Sequence, residues 1–111
     1  MITGYNTDVR HRGVVFHVQT EDKGVNNPCV ESLVYVGGQI VGRQRTGYQS
    51  MLKEGKGKEE ILELLENQHK EMISEIGAGT LDAEVERRLG PLAPLAPTPR
   101  PAARKPTPSQ P

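Results

Sequence analysis

Between Val14 and Glu21 apolar and polar side chains alternate, with Val14, Phe16 and Val18 on one side and Val15, His17, Gln19 and Glu21 on the other. A period of two predicts a β-strand with one buried face. Gly13, after the polar His11-Arg12, predicts a turn from a preceding short strand around Thr7 to Arg10. Asp22 to Pro28 (DKGVNNP) is rich in turn formers, so the chain reverses there and the next strand runs from about Cys29 to Val36. Gly37-Gly38 suits the positive φ values of a two-residue type I′ hairpin turn. With those glycines as the loop, Val36 pairs with Gln39, Val34 with Val41, Ser32 with Arg43 and Val30 with Arg45, and the other face carries Leu33, Tyr35 and Ile40. Both faces of this hairpin then hold apolar residues, which a sheet open to water on one side does not need.

From Lys58 to Ile76 the period changes. Ile61, Leu62, Leu65, Met72, Ile73 and Ile76 fall in one arc at 3.6 residues per turn, with Leu64 at its edge and the acidic residues mostly opposite. This is a helix suited to lie on a sheet. Gly55 and Gly57 loosen its entry, and Gly77 and Gly79 end it. Thr80 is expected to cap a second, shorter helix, LDAEVERRLG, with Asp82 in its first turn, Arg87 and Arg88 in its last, and Gly90-Pro91 as its stop. Residues 91–111 hold eight of the nine prolines and no acidic residue, which predicts an extended, disordered tail or a docking segment for a proline-recognising partner.

The expected class is therefore α+β: a small antiparallel sheet of three to four strands packed by one amphipathic helix, a short second helix, and a Pro-rich tail. The folded domain spans 1–90 and the tail 91–111. With no Trp, one Phe and three Tyr, the core must be mostly aliphatic. A core this small rarely also houses a deep catalytic pocket. No apolar run reaches the roughly 18 residues that suggest a membrane helix, and MITGYNTDVR lacks the order of a signal peptide, so the chain is expected in the cytoplasm. The single Cys29 reads as a small buried residue, since it has no second cysteine for a disulfide or metal site.

Net charge is zero but unevenly placed. Residues 1–58 hold eight Lys/Arg against five Asp/Glu, residues 59–90 three against nine, and residues 91–111 three against none. The acidic helix opposes phosphate approach unless it faces away, so nucleic acid is a minor reading.

Each catalytic arrangement fails on spacing. His11, His17 and His69 lie on different elements without metal-ligand spacing, and His69, within the apolar arc, reads as a satisfied, partly buried histidine. GKGKEE at 55–60 lacks the Ser or Thr of a phosphate loop and reads as a solvated linker. Ser32 and Ser50 sit in no nucleophile elbow, and alternation turns Glu21 and Asp22 to opposite faces. A non-catalytic binding protein without a cofactor is the expectation. Its surface is built from His17, Gln19, Glu21 and Asp22, with Arg43, Arg45 and Tyr48, residue types that combine apolar contact with directional hydrogen bonding. The plain alternative is an ordinary charged sheet face with cross-strand pairing.

The run FHVQTEDKG, followed by ESLVYVGGQIVGRQRTGY, resembles a small family of bacterial proteins best represented in myxobacteria and related groups. The likeness covers residues 16–48, with HVQTE its most specific part. It implies a regulator of cell polarity and motility, located at the cell pole, that acts with a response-regulator-like scaffold (RomR-like) as nucleotide exchange factor for a small Ras-like GTPase (MglA-like). In that role Glu21 or Asp22 disturbs the magnesium site of the GTPase, while the acidic helix or the proline tail holds the scaffold. The competing class is an adaptor or structural module of a pilus, secretion or cytoskeletal assembly.

Overall fold

The computed structural model describes residues 4–94, and the expectation for the rest of the proline tail lies outside them. Four strands, β1 (Gly4–His11), β2 (Val14–Asp22), β3 (Cys29–Val36) and β4 (Gln39–Gly47), form an antiparallel meander in the order β1-β2-β3-β4. Three helices follow, α1 (Gln49–Lys53), α2 (Lys58–Gly77) and α3 (Asp82–Leu89). The α+β class and the long amphipathic helix on one face of the sheet are as the alternation and the 3.6-residue period predict. No helix among the described residues is long and apolar enough to cross a membrane.

The inner face is built from alternate residues. Phe16, Val18 and Thr20 of β2 and Val30, Ser32, Val34 and Val36 of β3 are buried beneath Leu65, Gln68, His69, Met72 and Ile76 of α2. Apolar burial on this scale supplies most of the folding drive, at roughly 1.5–3 kcal/mol for each fully buried aliphatic or Phe side chain. The apolar residues fall into two groups. Phe16, Val18, Val34, Val36, Val41, Met72, Ile76 and Val85 form the larger, and Val30, Tyr48 and Leu65 the smaller.

Between them runs a polar belt. Thr46 donates its hydroxyl to Gln68 Oε1, and Gln68 Nε2 donates to Ser32 Oγ at 2.9 Å and to the carbonyls of Gln44 and Val30 at 3.2 and 3.3 Å. Ser32 Oγ meets Thr20 Oγ1 at 2.7 Å, Thr20 Oγ1 meets His69 Nδ1 at 2.8 Å, and His69 Nε2 meets Thr7 Oγ1 at 2.8 Å. Because Ser32 already accepts from Gln68, protons that give Ser32 and Thr20 an acceptor each run toward His69 Nδ1. His69 is then neutral, with its proton on Nε2 toward Thr7. Burial pushes its pKa down, in keeping with that state.

Two turns close the same end of the sheet. Gly37-Gly38 form the expected two-residue hairpin, with φ of +58° and +80°. Arg12-Gly13 form the other, and Arg12 is the one non-glycine residue in the described chain with positive φ, at +52°. Such a conformation costs about 1–3 kcal/mol and persists only where the surroundings hold it. Here Arg12 donates through Nε to the carbonyl of Ala93 at 2.6 Å and through a terminal nitrogen to Asp82 at 2.9 Å, while its own carbonyl accepts from the Ala93 amide. His11 reaches the same Asp82 carboxylate at 3.0 Å. Partial burial raises the Asp82 pKa, but the hydrogen bonds and charges of Arg12 and His11 outweigh it and hold the carboxyl below its ordinary value. Leu92 packs against the larger apolar group, so the chain stays fastened to the domain as far as residue 93.

Two expectations are corrected, and one element is added. Val36–Gln39 and Tyr35–Ile40 pair as expected, but beyond them the β3–β4 register shifts by one residue at a bulge, so that Val34 pairs with Gly42, Leu33 with Arg43, Ser32 with Gln44, Glu31 with Arg45 and Val30 with Thr46. The bulge lets Val41 stay buried while the backbone at Gly42 passes close to Leu81, whose side chain lies 3.1 Å from where a Cβ would stand. Thr80 is not the cap of α3. Leu81 holds that position and packs on the core, and no side chain caps the helix. The short α1, which the polar composition of its surroundings hides, carries the chain from β4 back under the smaller apolar group, where Met51 and Leu52 pack.

Replacing Gln68 with Leu should lower unfolding free energy by about 2 kcal/mol or more in urea titration, because the buried hydroxyl of Ser32 and the half-buried hydroxyl of Thr46 lose their partner. The pKa of His69, lowered by folding, makes stability complete above about pH 6.5 and lost as pH falls below it, since the unfolded chain then binds the proton more readily. Melting temperature should therefore drop between pH 7.5 and 5.5, and His69→Gln should flatten that slope; an unchanged slope would remove His69 as its source.

Candidate functional site

The face of the sheet opposite α2 has no element over it among the described residues. Alternation places Asn6, Asp8 and Arg10 of β1, Val15, His17, Gln19 and Glu21 of β2, Glu31, Leu33 and Tyr35 of β3, and Ile40, Arg43 and Arg45 of β4 on this outer face. The register orders them into rows across the strands. Asp8, His17, Tyr35 and Ile40 form one, Asn6, Gln19, Leu33 and Arg43 the next, and Gly4, Glu21, Glu31 and Arg45 a third.

The face is divided along the strands. Toward the two turns it is apolar, with Val15 and Ile40 exposed and Tyr35 half-buried beside His17 at a ring separation of 6.2 Å. His17 Nδ1 lies 2.6 Å from the Asp8 carboxylate. At the other end charges gather around Glu31, whose side chain is only 12% exposed, beneath Arg43 and Arg45 at 60% and 56%. Arg45 donates to Glu31 at 3.1 Å, Lys23 approaches it at 3.6 Å, and Arg43 stands off at 4.0 Å. Partial burial pushes the Glu31 pKa up, but the hydrogen bond from Arg45 and the three positive charges outweigh it, so the carboxyl lies below its ordinary value. Lys23 is shared with Glu21 at 2.9 Å, a contact that raises the lysine pKa, largely through the hydrogen bond and charge of Glu21.

Of the residues expected in the surface, His17, Gln19, Glu21, Arg43 and Arg45 do share one face. Asp22 and Tyr48 do not. Tyr48 is 1% exposed, and its hydroxyl donates to Asp22 Oδ1 at 2.6 Å, while the Gly24 amide donates to the same oxygen at 2.9 Å. Burial first, then the bond to and charge of Asp22, push the Tyr48 pKa up to about 12. The aromatic ring belongs to the inner side because Gly47 ends β4 and the chain turns under the sheet into α1, with the Tyr48 amide donating to Pro28 O at 2.8 Å. Glu31 and Asp8 were missing from the expected surface. The alternation Glu31, Leu33, Tyr35 contains the first, and a two-residue turn at Arg12-Gly13 brings the second opposite His17.

A second concave feature lies at the start of α2. A groove of about 610 Å³ runs between the β2–β3 loop, α1 and α2, walled by Val25, Tyr48, Leu52, Ile61, Leu62 and Leu65. Leu62, placed by its period in the buried arc, is 38% exposed here, and Val25 is 68% exposed. Lys56, Lys58, Asp22 and Glu59 stand at the rim with balanced charge.

The groups that could do chemistry are already engaged. His11 faces Asp82, His17 faces Asp8, His69 is held between two threonines, Ser32 lies within the buried belt and Cys29 is buried. Among the described residues no three His, Cys, Asp or Glu side chains group as metal ligands would. In comparisons with known proteins, no family model, curated protein or solved structure matches the chain.

Tyr48→Phe should cost about 1–2 kcal/mol in chemical denaturation, since it strips a buried bond from the Asp22 carboxylate. In a spectrophotometric titration of the folded protein the variant should lack one phenol ionising near 12. Retention of that phenol would assign it to another tyrosine.

Proposed function

We propose that the chain is a non-catalytic interaction module whose outer sheet face docks a partner, and that the partner system is the one implied by the likeness of residues 16–48 to the myxobacterial group. In that reading it is a RomX-type regulator of cell polarity and motility, found at the pole. It acts with a RomR-like scaffold to speed nucleotide exchange on an MglA-like GTPase. The observation that supports docking is the outer face itself. It combines an apolar end at Val15, Tyr35 and Ile40 with a charged end at Glu31, Arg43 and Arg45, and no described element covers it. A sheet with solvent on one side is stable without such apolar residues, whereas interface centres are built from them.

An exchange factor needs no nucleophile. It binds the nucleotide-free conformation of the GTPase more tightly than the GDP-bound one, and the difference in affinity shifts the equilibrium. Of the two acids considered for the magnesium site, Glu21 is the freer. Its side chain is 48% exposed and pairs only with Lys23, whereas Asp22 is committed to Tyr48 and Gly24.

The reading is tested by recovering cytoplasmic partners on the purified protein and measuring release of fluorescent GDP from any GTPase captured, with and without the second partner. Acceleration that is lost in Glu21→Arg, at unchanged melting temperature, is the expected result. Capture of assembly components without a GTPase, or a GTPase whose GDP release is unchanged, would replace it with the adaptor reading.

A further inference from the structure

Resting on the reading of the outer face as a docking surface, we infer that the open edge of β4 receives an extended acidic segment of a partner protein, with carboxylates at alternate positions that meet Arg43 and Arg45. Among the described residues strand β4 is the last of the sheet, with no strand on its far side. A strand there presents backbone donors and acceptors to whatever chain can lie beside it.

The side chains on that edge select the occupant. Arg43 and Arg45 are two residues apart, both on the outer face and both more than half exposed. With Lys23 held chiefly by Glu21, the nearest carboxylate on the described chain, Glu31, is left between two arginines, bonded to Arg45 at 3.1 Å while Arg43 reaches it only at 4.0 Å, so the cluster keeps one positive charge in excess. A strand added beside β4 sets the Cβ atoms of its own alternate residues about 5 Å from those of Arg43 and Arg45, on the same face and within reach of their guanidinium groups. Carboxylates at those two positions complete the pairs. The intervening position faces the helix side, where Gln44 donates to Glu71 at 3.2 Å, so an acidic residue there is repelled. Acidity every second residue, and not acidity as such, is what the edge reads.

A second copy of the chain does not fit. Antiparallel pairing of β4 with its own copy in the register centred on Gln44 sets Arg43 against Arg45, like charges in opposition that destabilise a strand pair, and no register supplies a carboxylate, because β4 has none. The other edge strand, β1, offers Asn6, Asp8 and Arg10 on the outer face, which sets one repelling carboxylate beside one attracting cation.

The bulge is what makes this arrangement. In unbroken register Arg43 and Arg45 stand opposite Ser32 and Val30, both fully buried beneath α2, and one extra residue at Val41-Gly42 turns them outward.

The test uses the whole protein and two synthetic peptides of about ten residues, one alternating Glu with Thr and one alternating Lys with Thr, a length typical of strands. Fluorescence anisotropy should show the Glu peptide binding more tightly than the Lys peptide. Arg43→Gln with Arg45→Gln should weaken the Glu peptide about three- to tenfold, and Arg43→Lys with Arg45→Lys should retain most of its affinity. Hydrogen exchange of β4 amides, and not of β1 amides, should slow on binding. Equal affinity for the two peptides, indifference to the arginine substitutions, protection at β1, or a single-stranded oligonucleotide that binds with the same arginine dependence in place of the peptide would overturn the proposal. A GTPase captured equally by wild type and the glutamine variant would also overturn it while leaving the exchange reading intact. Arginine-dependent peptide binding without a GTPase would leave the edge proposal standing alone.

Discussion

The placement of everything else depends on the polar belt that joins Gln68 and His69 of α2 to one hydroxyl on each strand, Thr7, Thr20, Ser32 and Thr46. Apolar packing alone is tolerant of sliding, because one aliphatic row fills a space much as its neighbour does. A line of directed donors and acceptors is not. If α2 slips by a turn, buried hydroxyls and the Gln68 amide are left without partners, each at a cost of about 1–3 kcal/mol. The belt therefore sets where the helix lies along the sheet, and the two apolar groups on either side supply the drive to bring it there.

At the turn end a different fastening takes over. Arg12 is held in a conformation that favours glycine, and its guanidinium and carbonyl together tie the β1–β2 turn to Asp82 and to residue 93. A residue with no long side chain would relax the turn and release the last described segment. The strain and the anchoring are two aspects of one choice of residue. Because α3 is short and has no side-chain cap, this contact with Asp82 in its first turn fixes where the start of the helix sits against the β1–β2 turn.

The sequence exposes most of the architecture because most of it follows from period and turn chemistry. The alternation Val14, Phe16, Val18, the Gly37-Gly38 hairpin and the apolar arc of α2 each depend on near neighbours in the chain. What stays hidden depends on distant ones. Gln68 reads as an ordinary polar residue until the hydroxyls and carbonyls of two strands lie beneath it. Tyr48 reads as part of the arginine surface until the chain turns under β3 at Pro28. Glu31 was visible in the alternation but gains meaning only once the register sets it beneath Arg43 and Arg45. Thr80 has the right chemistry for a cap, yet the demand to bury Leu81 against the core moves the start of α3 past it.

The bulge in β4 also has a consequence for how this chain tolerates change. Which residues of β4 face inward is decided by counting, odd or even, from the hairpin to the bulge. Substitutions leave that parity alone, so a scan of single replacements can leave the outward pattern intact at every position. Deleting Val41 would remove the extra residue and close the bulge, so that Ile40 and Gly42 alternate regularly and Arg43 and Arg45 still face outward, at the cost of one buried side chain. The bulge thus lets β4 carry one more inward side chain, Val41, without turning its arginines toward the core.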